Sequence, residues 1–167
     1  MTAPAIRASA RVLLTDRRDR VLLLRHRPDG NDPARHVWFT PGGGVRAGEA
    51  VPEAAVREIR EETGYPLTPE RLGPVVATSS GPAVLDGQAT HAINSFFFVR
   101  VDRLPLDVSG REPYEREFIV GHRWWTAEEL ESTEETILPD GLHHLMRMLL
   151  GGGLPAVPVV LPWRPRI

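Results

Sequence analysis

Neither cysteine nor lysine occurs in this chain of 167 residues. Without cysteine there is no disulfide, no thiolate nucleophile and no cysteine-based zinc site, a composition compatible with a reducing compartment. All 20 basic residues are arginine and face 22 carboxylates, so the formal charge is −2 and no net basic field exists to hold nucleic acid by counterion release. No apolar run approaches the roughly 20 residues that span a bilayer. Residues 1–10 lack the apolar core of a secretory signal. The expectation is a cytoplasmic protein that binds neither membrane nor nucleic acid. What is present is a 41% hydrophobic composition. At this length a single domain buries about 70% of its unfolded surface, which that share of apolar residues can fill.

The chain reads as strands interleaved with about three helices. Residues 6–15 are β-prone, Asp16-Arg17-Arg18-Asp19-Arg20 is a turn, and 21–24 resume extended, a hairpin. Residues 26–37 carry Pro28, Gly30, Asn31, Asp32 and Pro33 and read as a loop; 79–90 read as a second one. Strands are expected at 75–78, 91–101 and 118–125. The second of these, with Phe96-Phe97-Phe98, is apolar on both faces and so central in a covered sheet. Thr126 and Glu129 form a capping box for a short helix. Asp140 is the expected cap of a helix carrying Leu142, Leu145, Met146, Leu149 and Leu150, ended by Gly151-Gly152-Gly153. The predicted organisation is one α/β domain over 1–153. A proline-rich extended tail over 154–167 is too apolar for water, and lies against its own domain or against a second subunit of a homodimer.

Chemistry concentrates between Gly43 and Tyr65. Val51, Ala55 and Ile59 recur at helical spacing, Pro52 suits a first turn and Gly64 a C-cap. On that helix Glu58, Glu61 and Glu62 stand at i, i+3 and i+4, within roughly 60° of arc on one face. Crowded like charges cost stability, which suggests a bound cation, offset in part by Arg57 and Arg60. Oxygen donors without cysteine or paired histidine favour Mg²⁺ or Mn²⁺ over Zn²⁺. A glutamate-rich helix is most often a solvated face. Here the glycine run upstream permits close backbone approach to a ligand, and Glu49 and Arg57 complete a spaced set that solvation does not require.

The stretch resembles the Nudix box, G-x5-E-x7-R-E-U-x-E-E-x-G-U with U a bulky aliphatic. Gly43, Glu49, Arg57, Glu58, Ile59, Glu61, Glu62 and Gly64 match at the required spacing, and Tyr65 departs at a packing position. Trp38-Phe39-Thr40-Pro41-Gly42-Gly43 resembles the family's approach to the box, and Arg123-Trp124-Trp125 with Glu128-Glu129-Leu130 its last strand and following helix. The resemblance implies an α/β/α sandwich around a mixed sheet. It also implies metal-dependent hydrolysis of a pyrophosphate bond in a nucleoside diphosphate linked to another moiety. Nucleoside triphosphates, ADP-ribose or nucleotide sugars, and dinucleoside polyphosphates are the candidate small-molecule substrates. By the same resemblance, Glu58, Glu61 and Glu62 would bind Mg²⁺ or Mn²⁺ with the Gly42 carbonyl, and Arg57 would orient the glutamates. Glu49 would brace the loop, Glu58 or Glu62 would be the general base, and Glu115 or Glu117 would supply a further carboxylate.

Other features are less specific. Arg25 and Arg27 leave the second strand where they could reach a phosphate, and Trp38 could stack a nucleobase, against the alternatives of solvent exposure and core packing. His143-His144 lack the i, i+4 spacing of a helical metal pair. A rival reading keeps the fold but makes it a nucleotide-sensing module without turnover; the intact carboxylates argue against it.

Overall fold

The computed structural model describes residues 3–28 and 33–164. Gly30, Asn31 and Asp32 of the first expected loop, and Pro165 of the tail, lie outside the described residues. Strand β1 (Ala5–Thr15) turns at Asp16, whose carboxylate accepts the N–H groups of Arg18 and Arg20 and the Arg20 guanidinium, and β2 (Val21–His26) follows. Burial opposes the Asp16 charge, but these donors overcome it and leave the carboxyl below its ordinary value.

After a 3₁₀ turn at Pro33–Arg35 come two short strands, β3 (Val37–Phe39) and β4 (Gly42–Gly44), and the helix α1 (Val51–Thr63). A short α2 (Pro69–Leu72) leads into β5 (Val75–Leu85) and β6 (Gln88–Arg100). The rest of the chain is α3 (Pro113–Phe118), β7 (Ile119–Trp125), α4 (Ala127–Ser132), β8 (Thr136–Leu138), α5 (Leu142–Gly152) and β9 (Val159–Val160).

The sheet runs β8-β3-β2-β1-β6-β5-β9, with β4 also on β1 and β7 also on β2. It is mixed: β1 lies parallel to β6 along its whole length, and β1 with β2, β2 with β7 and β5 with β6 are antiparallel. Side-chain alternation along these strands divides the core in two. Val12, Leu14, Leu22 and Phe97 face Ala54, Ala55 and Ile59 of α1 together with Leu67 and Leu72. Leu13, Leu23 and Phe96 face Leu130 of α4 and Leu142, Leu145, Met146 and Leu149 of α5. The result is a sheet with helices on both faces, the predicted α/β/α sandwich, with Phe96 and Phe97 on opposite sides of a central strand as expected.

Three local expectations need correction. Residues 79–85 continue β5 instead of forming a loop, because Asp86 and Gly87 take positive φ (49° and 75°) and reverse the chain in two residues. Helix α5 is capped by Gly141, itself left-handed, and not by Asp140, whose carboxylate pairs with Arg164. That helix also runs through Gly151 and Gly152 to a cap at Gly153. The tail adds β9 beside β5, in parallel, with Leu161 buried and its N–H on the Thr78 carbonyl.

Candidate active site

The site is assembled where β4 crosses the face of α1. Strand β4 pairs with β1 so closely that a Cβ on Gly42, whose φ is 134°, would sit 2.1 Å from the Ala10 carbonyl oxygen; only glycine fits. One residue on, the position of a Cβ on Gly43 lies 2.6 Å from Glu58 Oε1, so the missing side chain is what admits the Glu58 carboxylate.

Helix α1 begins after Ala50, whose N–H is taken by Glu53, and ends at left-handed Gly64, whose N–H returns to the Arg60 carbonyl. Arg57 is the hub of its half-buried flank. Nε and Nη2 grip both oxygens of Glu49 at 2.8 and 2.9 Å, Nη1 reaches Glu58 Oε1 at 2.6 Å and Glu61 Oε2 at 3.2 Å, and Nη2 also donates to the Gly44 carbonyl at 2.9 Å. This bidentate grip holds the Glu49 carboxyl at about 2, well below its usual range, and raises the Arg57 pKa in return. Arg57 thus ties the loop before α1 to the glutamates on it.

One carboxylate oxygen each from Glu58, Glu61 and Glu115 lie within 4.8 Å of one another. Glu58 and Glu115 are each 5% exposed. Burial, against the pull of Arg57, raises the Glu58 pKa. Three hard oxygen donors and no nitrogen or sulfur form a set that fits a divalent cation of the Mg²⁺ or Mn²⁺ type. Glu115 comes from the first turn of α3, where its Oε2 accepts the Glu112 N–H at 2.8 Å.

Glu62 is directed elsewhere. Its Oε2 accepts the Gly42 N–H at 2.8 Å, and burial pushes its carboxyl up to about 8. The Gly42 carbonyl is taken by Arg11 Nη1 at 2.9 Å, and the same nitrogen donates to the Thr40 carbonyl. Glu62 and Gly42 therefore lock β4 to α1 and β1, while Glu58, Glu61 and Glu115 form the carboxylate cluster.

The remaining sequence candidates are not members of that cluster. Trp38 is 6% exposed in the core, its ring edge against Trp125 and its indole N–H on Glu135. Arg25 lies over the Trp38 ring, 3.9 Å from Glu135, and the Arg27 backbone N–H bonds to the Phe118 carbonyl. Glu117 is exposed. Tyr65, the departure from the box, packs at the edge of the α1 core and takes a hydrogen bond from Arg71.

Sequence reasoning did not single out Arg11 or Arg111. Arg11 is the one ionisable residue in positions 9–14 of β1, half-buried between buried neighbours, a break in the pattern that could have drawn attention to it. Nothing local distinguishes Arg111.

Similarity to known proteins covers about a third of the chain in sequence and most of it in fold. The chain is 44% identical over 63 residues to the uncharacterized Nudix hydrolase YvcI of Bacillus subtilis, a match covering 37% of this chain and 35% of that one. It is 41% identical over 51 residues to the ADP-ribose pyrophosphatase of Methanocaldococcus jannaschii, covering 30% and 28%. The match thus spans about a third of the length of these relatives. Among solved structures, the MutT protein of Methanosarcina mazei superposes with a TM-score of 0.63 at 19% identity, covering 88% of this chain and 94% of that one. A NUDIX hydrolase from Nitrosomonas europaea gives 0.59 at 20% identity, covering 91% and 92%. At such identities these two structures speak for the fold alone. The NUDIX domain family model matches from residue 5 to residue 146, a span that takes in β1, the glycine turn, the glutamate helix and Glu115, and the chain belongs to that family.

Proposed function

We propose that this protein hydrolyses a pyrophosphate bond in a nucleoside diphosphate linked to another moiety, with Mg²⁺ or Mn²⁺ held by Glu58, Glu61 and Glu115. The observation that carries the reading is the convergence of those three carboxylates, two of them buried, beside a fully engaged arginine. A protein has little reason to bury carboxylates together without a cation to share them. When bound, a divalent ion neutralises phosphate charge and favours the ionised form of a bound water.

The chain's own groups do the rest. Hydrolysis joins the oxygen of water to one phosphorus, breaks the bond from that phosphorus to the bridging oxygen, and requires a group to take the proton of the attacking water. Of the two glutamates considered as base, Glu58 lies in the cluster while Glu62 is engaged by the Gly42 N–H, so the proton is assigned to Glu58. Glu62 is assigned a supporting part, fixing Gly42 by its N–H. Arg57 and Glu49 hold the cluster in register and touch no substrate, since the Arg57 donors are all turned inward.

The substrate classes left open by sequence are nucleoside triphosphates, ADP-ribose or nucleotide sugars, and dinucleoside polyphosphates. The similarity to an ADP-ribose pyrophosphatase puts ADP-ribose first in a panel. Incubating the protein with each class and Mg²⁺ or Mn²⁺, and resolving products by chromatography, tests the reading. Two phosphorylated products, formed only with the ion present, are expected. Tight binding of a nucleotide without products would instead make the protein a sensor.

A further inference from the structure

We infer that Arg111 is a positioning residue that delivers Glu115 to the carboxylate cluster by docking the segment before α3 onto the C-terminal end of α1. The inference rests on the proposed metal site. Glu115 is more than fifty positions from Glu61 in sequence, so something other than helix geometry must fix their separation.

The contacts run along the last turn of α1. The Asp107 N–H donates to the Thr63 carbonyl at 2.9 Å. Gly64 faces Asp107 so closely that a Cβ there would lie 2.6 Å from the Asp107 Cβ. A Cβ on Gly110 would lie 3.2 Å from the Glu61 carbonyl oxygen. Arg111 Nε donates to the Glu62 carbonyl at 3.1 Å. These carbonyls belong to a helix end that has no intrahelical donors left for them and carries partial negative charge, where a guanidinium is favoured.

Arg111 is only 8% exposed, and its Nη2 is buried with no hydrogen-bond partner. A buried cation with an unsatisfied donor is costly in a purely structural role. The Glu62 and Glu115 carboxylates that act on it electrostatically supply a reason to keep it. The segment is also folded onto itself, since Arg116 donates to the Arg111 and Ser109 carbonyls. Arg111 is thereby tied to the first turns of α3, the helix that carries Glu115. Arg111 anchors that segment beside Glu61 and Glu62, and its charge offsets the repulsion that would otherwise push Glu115 out.

The test is a double-mutant cycle on Mn²⁺ affinity, read by titration calorimetry on the full chain without substrate. Arg111→Met is expected to weaken Mn²⁺ binding by roughly 10–100-fold, the range typical of groups that orient metal ligands. In a Glu115→Gln background the same change should cost nothing further, because the group it positions has already lost its charge. Gly110→Ala, whose methyl lifts the segment from α1 more gently, should show the same dependence on Glu115 and carries the test if Arg111→Met fails to fold. Wild-type affinity in Arg111→Met, or an equal loss with and without Glu115, overturns the inference while leaving the metal site standing. Wild-type affinity in Glu58→Gln removes the metal site itself and the inference with it.

Discussion

A methyl group at position 43 would land 2.6 Å from a Glu58 carboxylate oxygen, against a side chain that Arg57 holds in place. Gly43→Ala should therefore displace Glu58 while leaving the core intact. The expected outcome is a melting temperature close to wild type and a turnover reduced by about two orders of magnitude, the scale lost when a reacting group is displaced by an ångström. Unchanged turnover would mean that the Glu58 carboxylate can move without consequence. Glu49 makes a different prediction, about pH. Its carboxyl sits at about 2 when folded against an ordinary 4.5, because Arg57 grips both oxygens. With the folded value depressed, its stabilisation is fully present above pH 4.5 and is lost as the pH falls toward 2. Urea unfolding should show Glu49→Gln less stable than wild type at pH 7, with the gap narrowing as the pH drops below 4.5; a gap independent of pH would contradict the ion pair.

Among the elements, the short helix α4 stands on one reciprocal cap. Thr126 Oγ1 accepts the Glu129 N–H at 3.2 Å and Glu129 Oε2 accepts the Thr126 N–H at 2.9 Å. Thr126→Ala should cost about 1 kcal/mol in denaturant unfolding. That cap was legible in the sequence, as were the glutamate helix and the β1–β2 hairpin, because each depends on residues within a few positions of one another. Ser79, Ser80, Gly81 and Pro82 carry turn composition, so a local reading favours a loop over 79–90. Their strand character comes instead from the partner β6 and from the Trp163 ring, which occupies the space above Gly81. Helix α3, six residues long, left only Pro113 and Glu115 as local signals, and β8 and β9 exist as strands through their pairing with β3 and β5. In the site the same division holds. The spacing of Glu58, Glu61 and Glu62 was readable, whereas the approach of Glu115 to Glu58 and Glu61 depends on a tertiary contact that no local pattern encodes.

For the molecule as a whole, the C-terminal tail closes one edge of the sheet. Leu161 enters the core shared by α5 and the sheet, while Trp163 lies on Gly81 and donates from its indole nitrogen to the Pro82 carbonyl at 3.0 Å. Burying a leucine side chain contributes about 1.5–3 kcal/mol, so truncation after Gly153 should lower the melting temperature by several degrees. Gly81→Val, which drives a side chain into the Trp163 ring, should reproduce part of that loss; a truncated chain that melts with wild type would refute the tail's part in stability. On the α1 side of the sheet, the cluster of Glu58, Glu61 and Glu115 is proposed to carry out diphosphate hydrolysis. Its most direct test is kcat for wild type and Glu58→Gln on the best panel substrate, in saturating Mg²⁺ or Mn²⁺. The account predicts a fall of roughly 10²–10⁴-fold, the usual contribution of a positioned proton acceptor, with the variant still folded. A Glu58→Gln protein that turns over at the wild-type rate would contradict it.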